Sequence, residues 1–178
     1  MTISTSALQQ KNAKHLIQSF SDLSYINNPQ ETHIISRADG VYIYDNDGKK
    51  ILDSMSGLWC VNMGYGQQSI IKAVNEQMKE LVYYNNFFGS SHPSAIKLSE
   101  MIADITPEGM NKVYFCGSGS EANDTVVRLT RHYWAARGKP SKSVIISRTN
   151  AYHGSTMAGA SLGGMSAMHA QGGLPIPD

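Results

Sequence analysis

Cysteine is almost missing from this chain: Cys60 and Cys116 stand alone in 178 residues and form no Cys-x-x-Cys. A disulfide framework is therefore not expected. An excess of one charge is missing too. Fifteen Lys and Arg meet fourteen Asp and Glu for a net charge of +1. The basic residues are scattered and not gathered into the stripe that a nucleic-acid binder needs. Long apolar runs are also missing: none approaches the ~20 residues that span a bilayer. Met1 to Phe20 lacks the apolar stretch and cleavage site of a signal peptide. The six histidines, at 15, 33, 92, 132, 153 and 169, have no metal-ligand spacing, so no metal is expected. These absences leave a soluble cytoplasmic protein, with neither nucleic acid nor membrane as a partner, as the expectation.

The residues that are present are those of a folded enzyme: 41% apolar, 16% charged, with 16 Gly. Residues 1–30 form a polar arm with one short helix, closing on the turn Asn27-Asn28-Pro29. Val41 to Tyr44 and Lys49 to Asp53, joined by Asp45-Asn46-Asp47-Gly48, predict a hairpin. After Gly64-Tyr65-Gly66, Ser69 is placed to cap a helix with Ile71, Val74, Met78 and Leu81 on one face. A second helix follows Ser91-His92-Pro93, with Leu98, Met101, Ile102 and Ile105 inward. It must stop near Thr106, because Pro107 disfavours helical geometry in the residue before it.

The pattern then changes to strand, glycine-rich turn, helix, strand. Val113 to Cys116 and Val144 to Ile146 read as strands buried on both faces. Between them lies a helix with Ala122, Val126, Leu129, Tyr133 and Ala136 on one stripe, ended by Gly138-Lys139-Pro140. This βαβ pattern predicts an α/β fold with a mainly parallel sheet and covering helices. Six glycines between Gly154 and Gly173 make the last stretch loop-rich. An end at Pro175-Ile176-Pro177-Asp178, after only two expected parallel strands, reads as a truncated domain.

The most informative segment is Gly117-Ser118-Gly119-Ser120-Glu121-Ala122-Asn123-Asp124, between a strand and a helix. Glycine lets a backbone approach a ligand closely, and the free N–H groups at a helix start point at a bound anion. Three readings compete. Ser118-x-x-Glu121 fits a capping box. Gly117-x-Gly119-x-x-Ala122 matches a dinucleotide fingerprint, but no Asp or Glu stands between Asp124 and Asp178 to hold a ribose. Arg148 would then serve an NADP variant. The third reading is a cofactor phosphate.

Gly-Ser-Gly-Ser-Glu-Ala-Asn-Asp, followed by Ala151-Tyr152-His153-Gly154-Ser155-Thr156, resembles the class III aminotransferases, which have fold type I and use pyridoxal 5'-phosphate. Ser56-Gly57-Leu58-Trp59-Cys60-Val61-Asn62-Met63-Gly64-Tyr65-Gly66 is similar to the branch of ω-amino acid–pyruvate and amine–pyruvate transaminases, putrescine–pyruvate enzymes included. The resemblance runs from about Ile34 to the last residue. It implies that Ser118, Gly119 and Ser120 bind the cofactor phosphate. Tyr152 would stack on the pyridine ring, with His153 and Gly154 shaping the turn beneath. Trp59 would line the substrate pocket, and Phe87 and Phe88 would reach the pocket of the partner subunit in a homodimer. Residues 1–60 would be arm and hairpin of a small domain, and 61–178 the first part of the large cofactor-binding domain. All ten lysines precede Tyr152, so the Schiff-base lysine of the family is absent and this chain by itself is expected to be inactive. The alternatives are a non-catalytic phosphate- or cofactor-binding module and an NADP-binding Rossmann-like half.

Overall fold

The structure, a computed structural model, describes residues 3–22 and 28–176. Asn27 of the expected Asn-Asn-Pro turn lies outside the described residues, as do Pro177 and Asp178 of the expected terminal turn. The chain divides into two compact units, Met1–Ser90 and Ser91–Asp178.

In the first unit, helix α1 (Thr5–His15) starts at Ser4, whose hydroxyl accepts from the Ala7 N–H. A 3-10 turn follows at Pro29–Glu31, and Gln9 Nε2 donates to the carbonyls of Gln30 and Thr32. Strands β1 (Ile35–Asp39), β2 (Tyr42–Asp45) and β3 (Lys50–Leu52) form an antiparallel sheet in that order. The expected hairpin is β2–β3. Its turn is held by Asp45 Oδ1, which accepts from the N–H of Asp47 and Lys49 at 3.0 and 2.8 Å. Strand β1 was not expected, because Ile-Ser-Arg-Ala-Asp lacks strand alternation. A register irregularity between Ile35 and Arg37 accompanies it, and there the Ser36 hydroxyl donates to the Asp45 carbonyl at 3.0 Å. Arg37 and Lys50 lie over the rings of Tyr44 and Tyr42. Next come a four-residue turn, α2 (Ser56–Trp59), and helix α3 (Gln68–Glu80). Ser69 is not its cap: α3 begins one residue earlier, straight out of the turn at Gly66, where φ is +75°.

In the second unit, α4 (Pro93–Ile105) stops at Thr106 as the following proline requires. Then come α5 (Gly119–Ala136), α6 (Met157–Leu162) and α7 (Ser166–His169). Two expectations are corrected here. Val113 to Cys116 and Val144 to Ile146 have no ladder partner among the described residues. A strand in a parallel sheet exists only through its neighbours, and these two segments are not neighbours of each other. The expected inward stripes are also largely bare: Ile105 is 84% exposed, Leu98, Met101, Val126, Leu129 and Tyr133 are exposed, and Ile102 and Ala122 are half-buried. Instead α5 turns Asp124, Val127 and Arg131 toward α6, with half-buried side chains and a cavity of about 470 Å³ beside them. The accessible surface of 14353 Å² exceeds the roughly 8,500 Å² of a self-contained monomer of this mass. Sheet and helices are formed, while most of their large apolar side chains remain exposed among the described residues.

Candidate functional site

The first turn of α5 is organised by its own side chains. Ser118 Oγ accepts from the Glu121 N–H at 3.2 Å, and Glu121 Oε2 accepts from the Gly117 N–H at 2.7 Å. The expected cap is formed, with the carboxylate reaching one residue further back than in a capping box. The N–H groups of Gly119 and Ser120 have no acceptor among the described residues. They stand at the positive end of an 18-residue helix, where an anion is favoured.

The segment Tyr152 to Gly159 is tied down onto this turn. Asn123 Nδ2 donates to the His153 carbonyl at 2.6 Å, and Ser155 N–H donates to Ser120 Oγ at 3.0 Å. Asp124 Oδ1 accepts from Thr156 Oγ1 at 2.7 Å and from the Gly159 N–H at 3.2 Å. The approach is so close that a Cβ on Gly154 would stand 2.6 Å from Ser120 Oγ. The result is an open pocket of about 360 Å³ lined by Ser118, Gly119, Ser120, Asn123, Tyr152, His153 and Gly154. All six residues expected at a cofactor are thus side by side. Asn123 and Asp124 were missed. Their signal was helical spacing, since positions three and four after Ser120 share its face.

These residues fit a phosphate-bearing aromatic group. Two N–H groups without an acceptor among the described residues belong to the pocket-lining Gly119 and Ser120, and the space above Gly119 is open, with nothing within 4 Å of a Cβ built there. Tyr152 is 54% exposed. The volume lies in the roughly 300–1,000 Å³ range of cofactor sites.

Trp59, Phe87 and Phe88 belong to the first unit. Trp59 closes α2, a turn of unusual hand. Ser56, Gly57, Leu58 and Trp59 have φ of +49°, +59°, +65° and +64° in succession. Trp59 N–H donates to the Met55 carbonyl and Cys60 N–H to the Ser56 carbonyl, at 2.8 and 2.9 Å. This is one turn of left-handed helix. Three of its residues carry a Cβ, each unfavourable by about 1–2 kcal/mol in that hand. Such strain persists only where the surroundings over-determine it. Here they do. Asp53 Oδ2 accepts from the Gly57 N–H at 2.7 Å and from the Tyr65 hydroxyl at 2.8 Å, and Asp53 Oδ1 accepts from the Met55 N–H at 3.2 Å. The Tyr65 hydroxyl, helped by the N–H groups of Gly57, Met55 and Ser56, holds the Asp53 carboxyl below its ordinary value against a smaller opposing effect of burial. Accepting from Tyr65, Asp53 in turn pushes that phenol up. Sequence reasoning singled out Trp59 and passed over the pair that holds its turn, because Asp53 ends the hairpin and Tyr65 sits in a glycine turn.

Phe88 is left-handed as well, at φ +54°, and fully exposed. Asn85 Oδ1 accepts from the Phe87 N–H at 2.9 Å, and the two rings lie 6.1 Å apart. The turn presents both rings to the outside.

The family model for aminotransferase class III matches residues 25–177. The chain belongs to this family. Among curated relatives, the putrescine–pyruvate aminotransferase of Pseudomonas aeruginosa is 56% identical over 163 residues, covering 92% of this chain and 36% of that protein. A probable mitochondrial gamma-aminobutyrate transaminase 2 of Oryza sativa subsp. indica is 43% identical over 148 residues, 83% of this chain and 30% of its own length. The omega transaminase of Pseudomonas jessenii, solved in complex with PMP, is similar with a TM-score of 0.91 at 38% identity. That match covers 96% of this chain and 37% of the other. The chain spans about a third of the length of the curated relatives it matches. Its α/β fold is that of the N-terminal part of a fold type I aminotransferase, which sets the dinucleotide reading aside.

Proposed function

We propose that the protein moves an amino group from an amine or ω-amino acid to pyruvate or a similar keto acid, using pyridoxal 5'-phosphate. The observation that carries this reading is the pocket at the start of α5. It gathers Ser118, Gly119, Ser120, Tyr152, His153 and Gly154 around two N–H groups with no acceptor among the described residues. When bound, the cofactor supplies an electron sink that lets the amine-bearing carbon release a proton. The chain's own residues bind and orient. The N–H groups of Gly119 and Ser120, with the hydroxyls of Ser118 and Ser120, hold the phosphate. Tyr152 fixes the ring plane, and the His153–Gly154 turn supports it from below. Trp59 limits the size of the amine, and Phe87 and Phe88 serve the pocket of the partner subunit in a homodimer. In the same reading residues 1–60 belong to a small domain and 61–178 to the first part of the large one. The cofactor-bearing lysine and the carboxylate facing the ring nitrogen come from outside residues 1–178. With both cysteines unpaired, a cytoplasmic setting is part of the proposal.

Gly119→Asp in the full-length enzyme tests the phosphate loop. The added Cβ meets nothing, and an acidic residue in the first helical turn favours the helix itself, so the fold is kept. The added charge beside a dianion is unfavourable by about 1–4 kcal/mol. Cofactor absorbance after dialysis should fall in the Asp variant and stay in Gly119→Ala. Full retention in the Asp variant would remove this loop from the site.

A further inference from the structure

The left-handed turn α2 raises a question that the proposed function does not answer: what keeps Trp59 where it is. Nothing in Ser56-Gly57-Leu58-Trp59 itself favours four successive positive φ values; only Gly57 is suited to them. The constraint comes from two residues anchored on the sheet. The Asp53 N–H donates to the Val41 carbonyl at 3.0 Å. Tyr65 exchanges two backbone hydrogen bonds with Gly40, at 2.7 and 3.2 Å. One side-chain bond, from Tyr65 Oη to Asp53 Oδ2, joins the two anchors, and the same carboxylate oxygen takes the Gly57 N–H. A Cβ on Gly57 would come within 3.0 Å of that hydroxyl, so the turn is seated directly against the pair.

We infer that Asp53, oriented by Tyr65, is a positioning residue for Trp59: it holds the left-handed turn and thereby sets the amine-size limit that Trp59 imposes. The inference rests on the reading of Trp59 as a wall of the amine pocket. Loss of the carboxylate lets residues 56–59 relax toward negative φ. Trp59, 77% exposed and held at φ +64°, would then leave its place without being replaced.

The test compares kcat/KM for a small and a bulky primary amine in the holoenzyme, with cofactor absorbance and thermal midpoint recorded for each variant. Trp59→Ala comes first and should shift the ratio toward the bulky amine by about tenfold or more. Asp53→Asn should shift it in the same direction, with cofactor content unchanged. In the Trp59→Ala background Asp53→Asn should add nothing further. Ser56→Gly placed in Asp53→Asn should restore part of the ratio, because glycine accepts the left-handed conformation without strain. If Asp53→Asn does not fold, Tyr65→Phe removes only the joining hydroxyl and should give the same shift. A ratio unchanged in Asp53→Asn or Tyr65→Phe while Trp59→Ala moves it overturns the inference. So does an additive effect in the double variant. A Trp59→Ala enzyme with an unchanged ratio retires the reading of Trp59 itself, and the inference with it.

Discussion

At Gly154 a Cβ would stand 2.6 Å from Ser120 Oγ and 2.8 Å from Ser120 Cα, and φ is +121°, a conformation that side chains rarely adopt. The first of those atoms belongs to a hydroxyl that can rotate; the second is backbone and cannot. Gly154→Ala must therefore lift the Tyr152–Gly159 segment off α5, stretching the bonds from Ser155 to Ser120 and from Asn123 to His153. Overpacking of this kind destabilises by about 1–3 kcal/mol. The expected outcome is a lower denaturation midpoint together with weaker cofactor retention. Gly119→Ala, with open space at its Cβ, should alter neither. Equal behaviour of the two alanine variants would mean that the close approach at Gly154 is unimportant.

The turn α2 and the end of β3 behave as one element because the Asp53 carboxylate accepts from the Gly57 N–H of the turn and from the Tyr65 hydroxyl. Their titration sets a pH window. Asp53 has a folded value below its ordinary 3.8. Its contribution is full above 3.8 and is lost as pH falls through the lowered value. Tyr65 has a folded value above its ordinary 10.0. Its contribution is full below 10.0 and is lost as pH rises through the raised value. The difference in thermal midpoint between the enzyme and Tyr65→Phe should hence be flat between 3.8 and 10.0 and shrink at both extremes. A difference that changes near neutrality would assign the effect to another group. The helices tell a different story at this scale. α4 has the right start and stop, yet Leu98, Met101 and Ile105 find no cover among the described residues.

For the whole molecule the decisive quantity is surface. With 14353 Å² accessible, against roughly 8,500 Å² for a self-contained monomer, apolar side chains of α3, α4 and α5 stay exposed among the described residues. A polypeptide of residues 1–178 expressed by itself should bind an apolar dye and associate in a concentration-dependent way, as large exposed apolar patches do. Sedimentation at several concentrations checks this. A dye-free monomer with one sharp unfolding transition would contradict it.

What the sequence by itself determined lies within a few residues along the chain. The stop of α4 before Pro107, the Asp-Gly turn between β2 and β3, and the Ser118–Glu121 cap are each encoded by neighbours, and each is where local chemistry demands it. The cofactor candidates were legible for the same reason, since each half of the pocket is a short contiguous motif. Tertiary structure decided how the halves meet. Ser120, Asn123 and Asp124 reach hydrogen-bond partners 30 to 35 residues away, a distance over which no local propensity acts. It also decided that Val113 to Cys116 and Val144 to Ile146, sound as strands by composition, are not strands here, because a ladder is a property of two segments. And it decided the hand of α2. Left-handed backbone at Ser56, Leu58 and Trp59 opposes the preference of every residue with a Cβ; a carboxylate three residues upstream and a hydroxyl from Tyr65 override it.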